Sequence, residues 1–300
     1  MGKGRAVFKI FLISIPVVLI LLTGVIAACY FTGYEIYREV EYGEAEQNVM
    51  DVYIPKSAYG QESNGCVLFI HGGSWSGGDK AEETARCRLL ASQGYITATL
   101  NYTLWSEAVA DEYTVFTVLD EIDAALLKLK EFSAERGINI DKAATCGYSA
   151  GAHLSMLYSF SRWDSAPLEI SFAASMAGPA DISKEVWGEQ MAARIATVLS
   201  GESVKGEEVL TGDADGILSL VCPISYIDES TPPTLIMQGG ADDIVPPANA
   251  TSLVSALSAY GVEHEYVYLE NSDHSLIQNP IKHLGFYRLM LGYSEKFFGY

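Results

Sequence analysis

Thr145-Cys146-Gly147-Tyr148-Ser149-Ala150-Gly151-Ala152-His153 is the stretch on which the reading of this 300-residue chain turns. An apolar strand, Lys142 to Cys146, is predicted to break at Gly147, turn through Ser149 and enter a helix at Ala150. Gly-x-Ser-x-Gly at such a strand-to-helix turn is the pattern of a nucleophile elbow. The flanking glycines have a steric reason, since a turn this sharp leaves no room for Cβ atoms beside a strained serine. The helix behind the serine offers free N–H groups to a developing oxyanion. The same five residues also occur by chance in surface loops, so the rest of the chain has to decide.

Outward from the elbow, strands and helices alternate. Tyr34 to Tyr42 and Asn48 to Ile54 alternate apolar and polar residues as edge strands do. Cys66-Val67-Leu68-Phe69-Ile70 is continuously apolar, the signature of a central parallel strand covered on both faces. A helix over Glu82–Gln93, a strand over Tyr95–Asn101 and a helix over Tyr113–Glu135 precede the elbow. Its helix is expected over Ala150–Ser161, then a strand over Ile170–Met176. Later elements are a strand over Thr234–Gln238, a helix over Pro247–Tyr260, a strand over His264–Leu269 and a closing helix over Pro280–Phe298. This alternation predicts an α/β domain with a mostly parallel sheet and helices on both faces. Residues 181–228 interrupt the rhythm with short helical, acidic fragments. They read as a cap or lid over the carboxyl ends of the strands, the alternative being a long surface excursion.

A serine hydroxyl is a weak nucleophile and needs a base, which in turn needs an orienting acid. At such an elbow the chain order is Ser, acid, His, the last two in loops after the final strands. Of the five histidines, His71 precedes the elbow, His153 follows it at once, His264 opens a strand and His283 falls on the last helix. His274, in the polar loop 271–276, is the histidine in the right place. Asp242 follows Gly239-Gly240 and stands shortly before Val245-Pro246, which makes it the candidate acid. Asp243 is its rival and could instead cap the turn or the next helix. Asp273 reads as a turn former. The loop His71-Gly72-Gly73-Ser74-Trp75 follows a central strand, where oxyanion donors belong. The amides of Gly73, Ser74 and Ala150 are the candidate donors, with His71 organising the loop. Trp75 is read either as a pocket wall or as core, and Tyr148 as a pocket residue.

The chain from about Val49 to Phe297 resembles the α/β-hydrolase superfamily, specifically bacterial carboxylesterases related to acetyl-xylan and feruloyl esterases. The matching pieces are Asp51-Val52-Tyr53-Ile54-Pro55, His71 to Trp75 with Gly78-Asp79-Lys80, Asn101-Tyr102, Gly147 to Leu154, Gly239 to Pro246, and Asp273-His274. Three positions depart from the pattern: Ser74 where a third glycine is frequent, Thr103 where an arginine often stands, and Ala152 where the elbow often has another glycine. The resemblance implies a cofactor-free serine hydrolase with the triad Ser149, Asp242 and His274, acting on small-molecule or carbohydrate esters of short acyl chains. A peptidase or amidase, and a silent binding protein on the same fold, are the competing readings. A degenerate relative typically lacks a triad member, whereas all three candidates are present here.

Composition narrows the partners. With 49% hydrophobic and 19% charged residues the chain can bury a sizeable core. A net charge of −19 argues against nucleic acid and slightly disfavours anionic substrates. The five cysteines have neither disulfide-framework nor zinc spacing, so no metal is expected. At the amino terminus, Lys3, Arg5 and Lys9 precede a charge-free run of 25 residues, Ile10 to Tyr34. That is long enough to span hydrocarbon, and the basic flank places the domain outside the cytoplasm. Residues 1–34 are therefore expected to be an uncleaved signal anchor joined to a catalytic domain, 35–300. Ile26-Ala27-Ala28-Cys29 offers a second reading, a lipoprotein signal cleaved before a lipidated Cys29.

Overall fold

The computed structural model describes residues 33–110 and 113–299. Residues 1–32, which include most of the expected anchor and Cys29, lie outside the described residues. Among the described residues no helix is long and apolar enough to cross a membrane.

Eight strands form one sheet: β1 (Tyr34–Glu41), β2 (Val49–Pro55), β3 (Asn64–Ile70), β4 (Ile96–Leu100), β5 (Ile140–Tyr148), β6 (Glu169–Met176), β7 (Thr234–Gly239) and β8 (His264–Leu269). Their spatial order is β1-β2-β4-β3-β5-β6-β7-β8. β1 and β2 pair antiparallel with their neighbours, and the pairs from β4 to β8 are parallel. This is the α/β-hydrolase fold. The alternation of β3 explains its continuous apolarity: Cys66, Leu68 and Ile70 pack into the core on one face, Val67 and Phe69 into that on the other.

The helices are α1 (Thr84–Ser92), α2 (Val115–Ala134), α3 (Ala150–Ser161), α4 (Lys184–Trp187), α5 (Glu189–Ser200), α6 (Gly206–Thr211), α7 (Asp215–Val221), α8 (Ala248–Ala259) and α9 (Pro280–Phe298). Val115, Val118, Leu119, Ile122, Leu126 and Leu129 recur at helical spacing and bury one face of α2, in the same core as Leu154 and Leu157 of α3. Cys87 and Leu90 of α1 and Phe286 and Met290 of α9 share the core on the opposite face. Residues 181–228 fold into α4 to α7 and a 3₁₀ turn, Pro223–Tyr226, with Ala192, Ile195 and Leu199 of α5 buried in the α2–α3 core.

Two expectations need correction. The elbow strand does not break at Gly147 but pairs with β6 through Tyr148. The helix expected from Glu82 begins as a 3₁₀ turn, Lys80–Glu83, because Asp79 accepts from the Ala81 amide and tightens that end. The four described cysteines, Cys66, Cys87, Cys146 and Cys222, are buried and unpaired. Burial pushes their thiols up, Cys66 to about 12.

Three of the motifs meet in space. Lys80 Nζ donates to Asp51 Oδ1 at 2.8 Å and to Glu39 Oε1 at 2.5 Å, and its amide donates to Asn101 Oδ1 at 2.6 Å. Asn101 in turn donates to Asp79. The polar cluster therefore braces the loop that leaves β3. The chain enters the fold at the other end: the Gly33 carbonyl accepts from the Lys56 amide, and Tyr34 pairs with Pro55 beyond the amino end of β4.

Candidate active site

The site is built from three chain breaks at the carboxyl ends of parallel strands. The first is the elbow. Ser149 has φ 55° and ψ −121°, a conformation costing on the order of 1–3 kcal/mol that the surroundings must hold. Its amide donates to the Met176 carbonyl, which fixes it to the end of β6. A Cβ on Gly147 would lie 2.1 Å from the Gly151 carbonyl oxygen, and one on Gly151 would lie 2.0 Å from that of Ile70. Close approach, and not left-handed backbone, is what demands both glycines. Ala152, where a glycine is frequent, is accommodated because Gly178 faces it without a side chain.

The second break follows β7. Asp242 is buried, and its Oδ1 accepts from the amides of Ile244 and Val245 at 3.0 and 2.9 Å. Its Oδ2 accepts from Gln238 Nε2 at 2.8 Å and lies 2.8 Å from His274 Nδ1. Asp243 is exposed and takes none of these contacts. The third break follows β8. His274 presents its other ring nitrogen, Nε2, to Ser149 Oγ at 3.0 Å. The geometry suits a neutral imidazole that donates through Nδ1 to Asp242 and accepts the Ser149 proton at Nε2. Asp273 accepts from the amide and hydroxyl of Ser275 and turns the loop. The Tyr148 hydroxyl donates to the His274 carbonyl at 2.8 Å, anchoring the same loop from beneath.

The loop after β3 carries the candidate oxyanion donors. Gly73, Ser74 and Trp75 have φ of 115°, 53° and 59°, so the chain curls through three successive left-handed positions. That explains why glycine is frequent where Ser74 stands. The amides of Ser76 and Gly77 close the curl on the Gly73 carbonyl. The amides of Gly73, Ser74 and Ala150 donate to no other described residue. His71 is buried, stacks on Tyr102 at 4.4 Å and donates from Nδ1 to the Gly72 carbonyl at 2.7 Å. Burial pushes its pKa down.

A cavity of about 500 Å³ opens beside Ser149 and Ala150. Its walls are Ser74, Trp75 and Trp105 on the domain side, Ile244 and Val245 after Asp242, and Trp187, Met191, Arg194, Ile195 and Val198 from α4 and α5. Trp75 is thus both wall and core. Tyr148 is not among the lining residues; alternation along β5 places it with Cys146, on the face of α1 and α9. The sequence reading missed Gln238, Trp105 and Trp187, and with them the wall formed by α5. Gln238 ends β7 immediately before the acid's turn, a position that could have marked it. The tryptophans come from distant segments and carry no local signal. Among the described residues no group of three metal-ligating side chains gathers.

Comparisons with known proteins agree with this architecture. Esterase LipQ of Mycobacterium tuberculosis is 24% identical over 249 residues, covering 79% of this chain and 56% of that protein. The probable isoprenylcysteine alpha-carbonyl methylesterase ICMEL1 of Arabidopsis thaliana is 21% identical over 279 residues, covering 88% of this chain and again 56% of the relative. The chain therefore spans a little over half the length of either. Among solved structures, a truncated carbohydrate esterase from gut microbiota superposes with TM-score 0.67 at 18% identity, covering 87% of this chain and 97% of that one. Esterase Est2 of Thermogutta terrifontis superposes with TM-score 0.67 at 20% identity, covering 88% and 92%. A family model described as BD-FAE matches residues 50–257, and the chain belongs to that family.

Proposed function

We propose that this protein hydrolyses carboxylic esters through an acyl-enzyme formed on Ser149. The observation that carries the reading is His274 standing between Ser149 Oγ at 3.0 Å and Asp242 Oδ2 at 2.8 Å. As Oγ attacks the ester carbonyl, its proton passes to His274 Nε2 and the carbonyl electron pair moves onto oxygen. The amides of Gly73, Ser74 and Ala150 meet that oxyanion. The tetrahedral intermediate collapses, the bond to the alcohol oxygen breaks, and His274 gives its proton to the departing alcohol. Water then repeats the sequence on the acyl-enzyme and releases the acid. Asp242 holds the imidazole tautomer and balances the imidazolium without taking the proton. No cofactor enters these steps.

Short-chain or carbohydrate-linked esters are the proposed substrates, a reading supported by relatives named as esterases and a structural neighbour named as a carbohydrate esterase. The amino-terminal segment is proposed to hold the enzyme at a membrane with the domain outside the cytoplasm, on the strength of Lys3, Arg5, Lys9 and the apolar run behind them. Mass spectrometry of the amino-terminal peptide checks this: an intact Met1 fits the anchor, and a diacylglyceryl Cys29 replaces it with a lipoprotein.

The test of the chemistry is hydrolysis of p-nitrophenyl acetate, butyrate and octanoate by the full chain beside Ser149→Ala. The variant should fall by about three to six orders of magnitude in kcat/KM. A folded wild type no more active than Ser149→Ala on any ester defeats the proposal. Amide turnover by that protein would then indicate an amidase, and inertness a silent binding protein.

A further inference from the structure

The cavity beside Ser149 is walled by three of the chain's four tryptophans, Trp75, Trp105 and Trp187, and carries a single charged side chain, Arg194. Flat aromatic faces suit an aromatic ring in the substrate. The arginine needs a different explanation. The chain holds 38 acidic residues against 19 basic ones, yet no Asp or Glu lines this cavity. Arg194 is an exposed residue of α5 that lines the cavity from its rim, with Gln190 and Met191 one turn before it and Thr197 and Val198 one turn after. None of these positions offers the carboxylate that normally pairs a helical arginine. Among the described residues Arg194 makes no ion pair and no hydrogen bond, whereas Arg38, Arg86 and Arg162 are each tied to carboxylates. A guanidinium with its donors unspent, beside an apolar wall, is a fork for a carboxylate brought by a ligand.

We propose that Arg194 selects aromatic esters that carry a carboxylate remote from the scissile bond, an inference that rests on the ester-hydrolase reading above. The net charge of −19 pulls the other way and is the sequence's reason for disfavouring anionic substrates. That field is set by charges spread over the surface, and at physiological salt those more than about 8 Å away are largely screened. A cation in the cavity wall acts at contact distance and prevails there. Arg194 is a specificity residue and takes no part in the bond-making steps.

The experiment uses two rigid pairs, so that both sides of the ester are sampled. Monomethyl terephthalate against methyl 4-carbamoylbenzoate places the charge on the acyl side. 4-Acetoxybenzoate against 4-acetoxybenzamide places it on the alcohol side. The readout is the acid-to-amide ratio of kcat/KM, compared between wild type and variants, so that intrinsic reactivity and any general loss of activity cancel. In at least one pair the ratio should fall about tenfold in Arg194→Gln and in Arg194→Ala, and further in Arg194→Glu. Arg194→Lys should keep most of it, since the charge remains. Amide-bearing esters turned over with the same ratio in wild type and Arg194→Gln, for both pairs, overturn this inference and leave the esterase standing. A folded wild type that turns over none of the four esters, nor any p-nitrophenyl ester, overturns both.

Discussion

The indole N–H of Trp75 donates to Nδ1 of His153 at 3.3 Å, joining the loop after β3 to the helix that carries the elbow. The other ring nitrogen, Nε2, donates to the Val221 carbonyl at 2.8 Å, at the end of α7. One buried imidazole thus ties together the loop after β3, the helix behind Ser149 and the 181–228 insertion. Its tautomer is fixed by its partners: a carbonyl can only accept and an indole can only donate.

Replacing His153 with alanine removes this tie and leaves both the Trp75 N–H and the Val221 carbonyl without a partner in the core. The expected cost is about 2–4 kcal/mol of stability, read from urea unfolding midpoints. His153→Gln, which can restore one of the two bonds, should lose less. Equal losses in the two variants would show that packing alone matters at this position.

The same residue predicts an acid-sensitive stability. Burial holds the His153 pKa down to about 4, against an ordinary value of 6.5. Between those two values the unfolded chain binds the proton first, so stability is fully present above pH 6.5 and is lost as pH falls toward 4. The contribution is on the order of 3 kcal/mol. Unfolding titrations at pH 7 and pH 4.5 should therefore show wild type losing more stability than His153→Gln. Parallel losses would place the acid sensitivity elsewhere.

Gln238 is expected to be a positioning residue. It is buried, and its Nε2 shares Asp242 Oδ2 with His274. Gln238→Leu leaves the carboxylate one donor short, which should lower kcat on p-nitrophenyl butyrate by about tenfold with little change in KM. Gln238→Glu, which sets a second carboxylate against Asp242, should lower it further. A KM effect alone would assign Gln238 to binding.

Ala152 and Gly178 should be energetically coupled. A Cβ on Gly178 would stand 2.6 Å from that of Ala152, with Ser175 Oγ equally near. Gly178→Ala is expected to cost about 1–3 kcal/mol through overpacking. Adding Ala152→Gly should recover part of that loss, and a double-mutant cycle measures how much. Strict additivity would mean that the strain falls on Ser175 and Met156.

Local chemistry shows in this sequence, and long-range assembly does not. Ser149, Asp242 and His274 were legible because each sits in a short segment whose residue types admit few conformations: a glycine-flanked turn, an Asp after two glycines, a polar loop between strand and helix. Asp242 and Asp243 could not be separated by composition alone. What separates them is the turn, which buries Asp242 by feeding two amides to Oδ1 and leaves Asp243 in water. Tyr148 was misplaced because the strand was ended two residues early. Once β5 runs through Tyr148, period-two alternation turns that side chain away from the cavity. The insertion was visible only as a break in rhythm. Three of its four helices run to seven residues or fewer, and α4 has no buried residue, so their form depends on packing that the sequence does not display.

The entry of the chain at Gly33 has a mechanical consequence. Gly33 is hydrogen-bonded to Lys56 at the amino ends of the parallel strands, while Ser149 stands at their carboxyl ends, roughly 30 Å away diagonally across the sheet. A tether pulling through Gly33 would therefore load the end of the sheet opposite Ser149. On the proposed anchoring, an ester would reach Ser149 from the end of the sheet remote from the point of attachment.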